Sequence, residues 1–194
     1  MRMFVALTLP PPVRDDLAAY LKPRRTNSAG LRWTAPEHWH VTLAFMPQVA
    51  EDDLDDLVKR LRRAVRRRPT LTLNVSGLGA FPNPARARVL YAAVHSADPG
   101  ELRLLTMAAR AAANKAGVET GRGGFHPHVT LARLSRPATA AWLNGLDPYT
   151  GPSWQAEEIA LIRSHLGEGP QRRHRYELVK SLSLSRTMRV PGDG

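Results

Sequence analysis

Hydrophobic positions along the chain change their period several times, and each change marks an element. Residues 2–9 are rich in apolar positions, as in a buried strand, and Pro10-Pro11-Pro12 ends it. Val13 to Leu21 follows at helical spacing, with prolines at its start. Leu31 to Thr34 is a short extended piece, Ala35-Pro36-Glu37 a turn, and 38–46 a strand. Over 51–68, Leu54, Leu57, Val58, Leu61, Ala64 and Val65 share one helical face until Pro69 stops it. Alternation returns over Leu71 to Leu78, Gly79 to Pro84 reads as a loop, and Val89 to Val94 as a strand. Asp98-Pro99-Gly100 opens a helix over 101–116, with Gly117 as its cap. The loop Gly121-Arg122-Gly123-Gly124 leads to a strand over 126–134. Pro137 to Leu146 reads as a short helix, 156–166 and 175–186 as strands, and Val190 to Gly194 as a frayed tail.

Two of these strands carry the same tetrapeptide, His40-Val41-Thr42-Leu43 and His128-Val129-Thr130-Leu131. In an extended strand residues i and i+2 share a face, so each copy sets an imidazole beside a hydroxyl and turns two apolar residues towards a core. Facing one another, the strands would offer a general acid and a general base around an anion that accepts from Thr, with phosphate the obvious candidate. His40 and His128 are 88 positions apart. The same shift lays Ser76-Gly77-Leu78-Gly79 on Ser164-His165-Leu166-Gly167, and Arg2 to Ala6 resembles Arg88 to Ala92 within a two-residue slip. Each half reads strand, helix, motif strand, helix, strand. The expected fold is α+β: two pseudo-symmetric lobes, each an antiparallel sheet with flanking helices, around a central cleft. The whole of 1–194 is expected to be one bilobal domain built by internal duplication.

Composition narrows the chemistry. Of 194 residues, 43% are hydrophobic, as in a globular domain with a real core, and none is Cys, which excludes disulfides, thiolate metal sites and cysteine nucleophiles. The net charge of +11 favours polyanionic partners. The helix over 51–68 begins with Asp52, Asp53, Asp55 and Asp56 and ends with Arg62, Arg63, Arg66, Arg67 and Arg68, which complements its dipole and by itself identifies no ligand. No apolar run reaches membrane-spanning length and the start lacks a cleavage pattern, so the expectation is a cytoplasmic protein. A rival constellation exists, since His38 and His126 each precede a motif histidine by two. Four imidazoles could hold a transition metal in a metal-dependent phosphoesterase, although no carboxylate joins them and the repeated Thr would go unused. A non-catalytic RNA-binding module would keep the basic surface but needs no His-Thr pairs. His95, His165 and His174 have no supporting context and are read as surface or structural.

HVTLAF at 40–45 and HPHVTLAR at 126–133 resemble the paired His-x-Thr-x motifs of the two-histidine (2H) phosphoesterase superfamily. More closely, MRMFVALTLP, PEHWHVTLAF, FPNPARARVLYAAV and RYELVKSLSLSR are similar to its bacterial and archaeal LigT-like branch, the RNA 2′,3′-cyclic phosphodiesterases once called 2′-5′ RNA ligases. Met46-Pro47 stands where that branch usually has Leu-Gly, and His38 where Asn is frequent. The resemblance implies metal-independent, cofactor-free opening of an RNA 2′,3′-cyclic phosphate to a 2′-phosphomonoester by a monomeric enzyme. It implies His40 as proton donor, His128 as proton acceptor, and Thr42, Thr130 and Arg133 on the phosphate; which histidine is which comes from the family alone. Ligation of RNA halves through a 2′-5′ bond is the reverse chemistry and uses the same groups. Regular alternation would send Arg133 to the face opposite His128, so a bulge, or an earlier end to the strand, is needed to bring it round. Phe45, its counterpart in the first copy, is a candidate to stack on a base, with a core role as the alternative.

Overall fold

The computed structural model describes residues 1–25, 30–138, 148–167 and 175–185. Among these, β1 (Met3–Thr8), α1 (Pro11–Arg25), β2 (Leu31–Trp33), β3 (His40–Met46), α2 (Leu54–Val65) and β4 (Leu71–Phe81) form the first run of elements. β5 (Ala87–Ser96), α3 (Pro99–Lys115), β6 (His128–Ala138), β7 (Trp154–Ala156), β8 (Glu158–His165) and β9 (Arg175–Ser183) form the second. The loop expected over 79–84 begins later, because Gly79, Ala80 and Phe81 continue the ladder against Tyr91, Leu90 and Val89. Glycine and proline in this stretch argue for a turn, but cross-strand pairing overrides local preference as far as Phe81. The helix expected over Pro137 to Leu146 lies outside the described residues from 139 onward, as do His174 and the tail.

The described strands join in one antiparallel sheet in the order β7-β4-β5-β6-β3-β1-β8-β9, with β2 added beside β6. The motif strands β3 and β6 are therefore central neighbours, paired through Val41 and Val129, and the order reads symmetrically outward from them. β1 lies on β3 as β5 lies on β6, and the registers repeat. Thr8 faces His40 as Ala93 faces His128, Ala6 faces Thr42 as Tyr91 faces Thr130, and Phe4 faces Phe45 as Val89 faces Arg133. This register fixes the slip between the first strands of the two halves at three residues rather than two. The other anchor read from sequence does not hold: Gly79 pairs with Tyr91 as Ala160 pairs with Ala6, so Ser76 to Gly79 is not the counterpart of Ser164 to Gly167. Each sequence half also gives a strand to the other, since β4 pairs with β5 and β8 with β1.

One face of the sheet carries the main core. Val5, Leu7, Val41, Leu43, Val129 and Leu131 point there, and Leu17 and Leu21 of α1, Leu57 and Leu61 of α2, and Leu105 and Ala109 of α3 cover them. Asp98 caps α3 by accepting from the Glu101 N–H at 2.9 Å, and Gly117, at φ 75°, ends it in the left-handed conformation expected of a cap. The opposite face has no described helix over its centre, and the motif histidines and threonines lie on it. No described helix is long and apolar enough to cross a membrane.

Candidate active site

Period-2 alternation fixes the starting geometry. Val41 and Val129, both buried, are the pair that joins the two motif strands, so His40 and Thr42 flank it on one strand and His128 and Thr130 on the other. The two imidazole–hydroxyl couples thus lie on either side of one joining pair, on the same face of the sheet. All four side chains are half-buried on the face away from the main core.

Each ring is held in the same way. His40 Nδ1 lies 2.7 Å from the His38 carbonyl oxygen, and His128 Nδ1 lies 2.6 Å from the His126 carbonyl oxygen. A carbonyl only accepts, so both Nδ1 atoms carry a hydrogen and both Nε2 atoms are left to exchange protons. This is the service that His38 and His126 perform. Their backbone carbonyls, two residues upstream, orient the motif rings, and among the described residues no group of three or more His, Asp or Glu is placed to hold a metal ion. Burial pushes the His40 imidazole from 6.5 down to about 4, against the pull of its carbonyl partner, and electrostatic interaction with His128, His38 and Arg133 pushes the same way. Burial also lowers His128, with His126 and Arg133 adding to it and the His126 carbonyl opposing.

Aromatic walls surround each ring. Phe4 stacks on His40 at 4.5 Å and 23°, and Tyr176 meets it edge-on at 5.6 Å. Phe81 and Tyr91 meet His128 edge-on at 5.0 and 5.6 Å, and themselves stack at 4.3 Å. A Cβ on Gly79 would stand 2.5 Å from the Tyr91 ring and hydroxyl, so only glycine leaves room for that ring. Sequence reasoning missed Phe4, Tyr91 and Tyr176 as site residues. Each reads as an ordinary strand residue, and only the pairing of strands distant in sequence brings it to a histidine.

Arg133 reaches the site through a bulge. On β6, Thr130 pairs with Tyr91 and Ala132 with Leu90, which leaves Leu131 without a partner on β5. The extra residue reverses the alternation, so Arg133, opposite Val89, returns to the face of Thr130 and Tyr91. β3 has the same bulge at the matching place, with Leu43 skipped between Thr42 and Ala44, and it turns Phe45 inward. Both skipped leucines are anchored in the core, and their carbonyls find donors outside the ladder. Leu131 O accepts from Thr34 N at 2.8 Å, and Leu43 O accepts from Arg110 Nε at 3.2 Å. The ring of Phe45 carries the Arg2 guanidinium 4.6 Å from its centroid, so on that side it faces a cation rather than open space.

Two imidazoles of fixed tautomer, two hydroxyls and a guanidinium on one sheet face form a site suited to proton transfer at an anionic centre. Comparison with known proteins agrees. The family model described as LigT like Phosphoesterase matches residues 7–91. The RNA 2′,3′-cyclic phosphodiesterase of Aeropyrum pernix is 32% identical, over 90% of this chain and 96% of that one. The RNA 2′,3′-cyclic phosphodiesterase of Thermus thermophilus is 33% identical, over 95% and 90%. A crystal structure of a Thermus thermophilus protein superposes with a TM-score of 0.77 at 30% identity, covering 96% of this chain and all of that one. The chain belongs to the LigT-like phosphoesterase family.

Proposed function

We propose that this protein is an RNA 2′,3′-cyclic phosphodiesterase that opens the terminal cyclic phosphate to a 2′-phosphomonoester. The observation that carries the reading is the matched pair of Nδ1–carbonyl bonds, which leaves Nε2 of one histidine from each half of the sheet for proton exchange, on central strands joined at Val41 and Val129. Neutral His128 takes a proton from water through Nε2 as the water oxygen bonds to phosphorus. The bond from phosphorus to the 3′ oxygen breaks in line, and protonated His40 delivers its Nε2 proton to that oxygen. Thr42, Thr130 and Arg133 hold the non-bridging oxygens as their charge grows. The donor role asks His40 to carry a proton that burial disfavours; the phosphodiester anion of the substrate supplies the counter-charge and raises both imidazoles.

Both histidines come from one chain, so a monomer is a sufficient catalytic unit. The repeated registers support reading the chain as one bilobal domain made by internal duplication, and the net charge of +11 suits an RNA substrate in the cytoplasm. The test is product analysis. An RNA ending in a 2′,3′-cyclic phosphate should give the 2′-phosphate in the presence of EDTA. A 3′-phosphate product, or turnover abolished by chelation, would overturn the proposal.

A further inference from the structure

Arg2 is the group that the reaction above leaves unused. β1 alternates so that Met3, Val5 and Leu7 enter the main core, while Phe4 and Ala6 lie on the catalytic face; continued one step outward, this alternation puts Arg2 on the catalytic face too. Its guanidinium sits over Phe45, the residue that the β3 bulge turns inward. Its backbone is held as well, since Arg2 O accepts from Ser164 N at 2.8 Å. In the other half, the place equivalent to Phe45 is taken by Arg133. Each half of the sheet therefore brings one guanidinium to the catalytic face, directly in one case and mounted on an aromatic ring in the other.

The two cations share one neighbour and differ in the others. The charge of Arg133 bears on both histidines and on the Tyr176 hydroxyl, whereas that of Arg2 bears on Tyr176, whose ring meets His40 edge-on. Along β1, Arg2 lies one pleat beyond Phe4, the ring stacked on His40, and so stands farther from that histidine than Phe4 does. In a polynucleotide substrate the next negative charge beyond the cyclic phosphate is one ribose away along the chain, whereas a nucleoside cyclic phosphate has none. A guanidinium is well matched to such a phosphodiester. We propose that Arg2, seated on Phe45, binds the internucleotide phosphate next to the reacting one and so favours RNA ends over mononucleotides. This rests on the cyclic phosphodiesterase reading, which the experiment tests separately.

The measurement compares a nucleoside 2′,3′-cyclic phosphate with a dinucleotide ending in one. Arg2→Met keeps an unbranched side chain on Phe45 but removes the charge. It should raise KM for the dinucleotide relative to the mononucleotide by roughly tenfold, the scale of one charge-assisted hydrogen bond. The salt dependence of dinucleotide KM should flatten as well, because one screened ion contact is lost. Phe45→Leu should move the same ratio in the same direction, because it takes away the seat. An unchanged ratio in both variants overturns the proposal, as does an equal loss on both substrates, which would place Arg2 on the reacting phosphate or in the fold. If the wild-type protein turns over neither substrate, the functional reading has failed. Calorimetric binding of the 2′-phosphorylated dinucleotide against the 2′-mononucleotide then still tests Arg2, with the same difference in affinity expected.

Discussion

At the scale of single residues, the site depends on two ring nitrogens whose hydrogens are assigned by backbone carbonyls. Because burial lowers His40 to about 4 and also lowers His128, the free protein holds both rings neutral at pH 7. The pH dependence of kcat/KM reports the free enzyme, and that of kcat the loaded one. The kcat/KM optimum is therefore expected on the acid side of 6.5, with the kcat optimum displaced upward by the phosphate charge. Steady-state rates from about pH 4 to 9 check this; a flat kcat/KM over that range would contradict an acid–base pair. The histidines and threonines were legible in the sequence because identical side chains at identical offsets in two strands are improbable unless both serve one job. The upstream carbonyls were not, since a backbone atom has no letter. The repeated His38 and His126 pointed at the right residues for another reason.

At the scale of elements, the decisive features are the two bulges. Hydrophobic alternation assumes an unbroken pleat, so from sequence Arg133 belongs to the wrong face; the extra residue at Leu131 corrects it and cannot be read without the partner strand's register. The β3 bulge depends on Arg110, which bonds the skipped Leu43 carbonyl and, at 2.9 Å, the Gly123 carbonyl in the loop before β6. Arg110→Ala should cost about 1 kcal/mol or more of stability and lower turnover beyond what that loss explains, because Phe45 follows the bulge. Urea midpoints together with kcat measure both; an unchanged midpoint would remove Arg110 from this role. On the neighbouring strand, Gly79→Ala forces the Tyr91 ring away from its place beside His128. Turnover should fall, and adding Tyr91→Leu should cost little more, a non-additivity that marks one shared defect. Fully additive losses would mean that the glycine and the tyrosine act apart.

At the scale of the whole molecule, hydrophobic periodicity located the described α-helices and most described strands, and the repeat implied two equivalent halves. The exchange of β4 and β8 between those halves was not legible, because strand order is a property of pairing rather than of pattern. The fold also carries a cost imposed by the site. An unfolded chain protonates His40 below about 6.5, whereas the folded one resists until about 4. Stability should accordingly be intact above 6.5 and fall with acid through that window by about 1.4 kcal/mol per pH unit for this group. His40→Asn should flatten the fall in denaturant titrations; an identical slope would show that His40 is not its source.

The central claim is that the two halves supply opposite proton transfers at one phosphorus. It is tested most directly with a cyclic substrate whose 3′ oxygen is replaced by sulfur, a leaving group that needs no proton. Turnover of this substrate by His40→Ala should approach that of the wild type, while His128→Ala should stay slower by about 10²–10⁴-fold. Equal defects in both variants, or rescue of His128→Ala alone, would contradict the account.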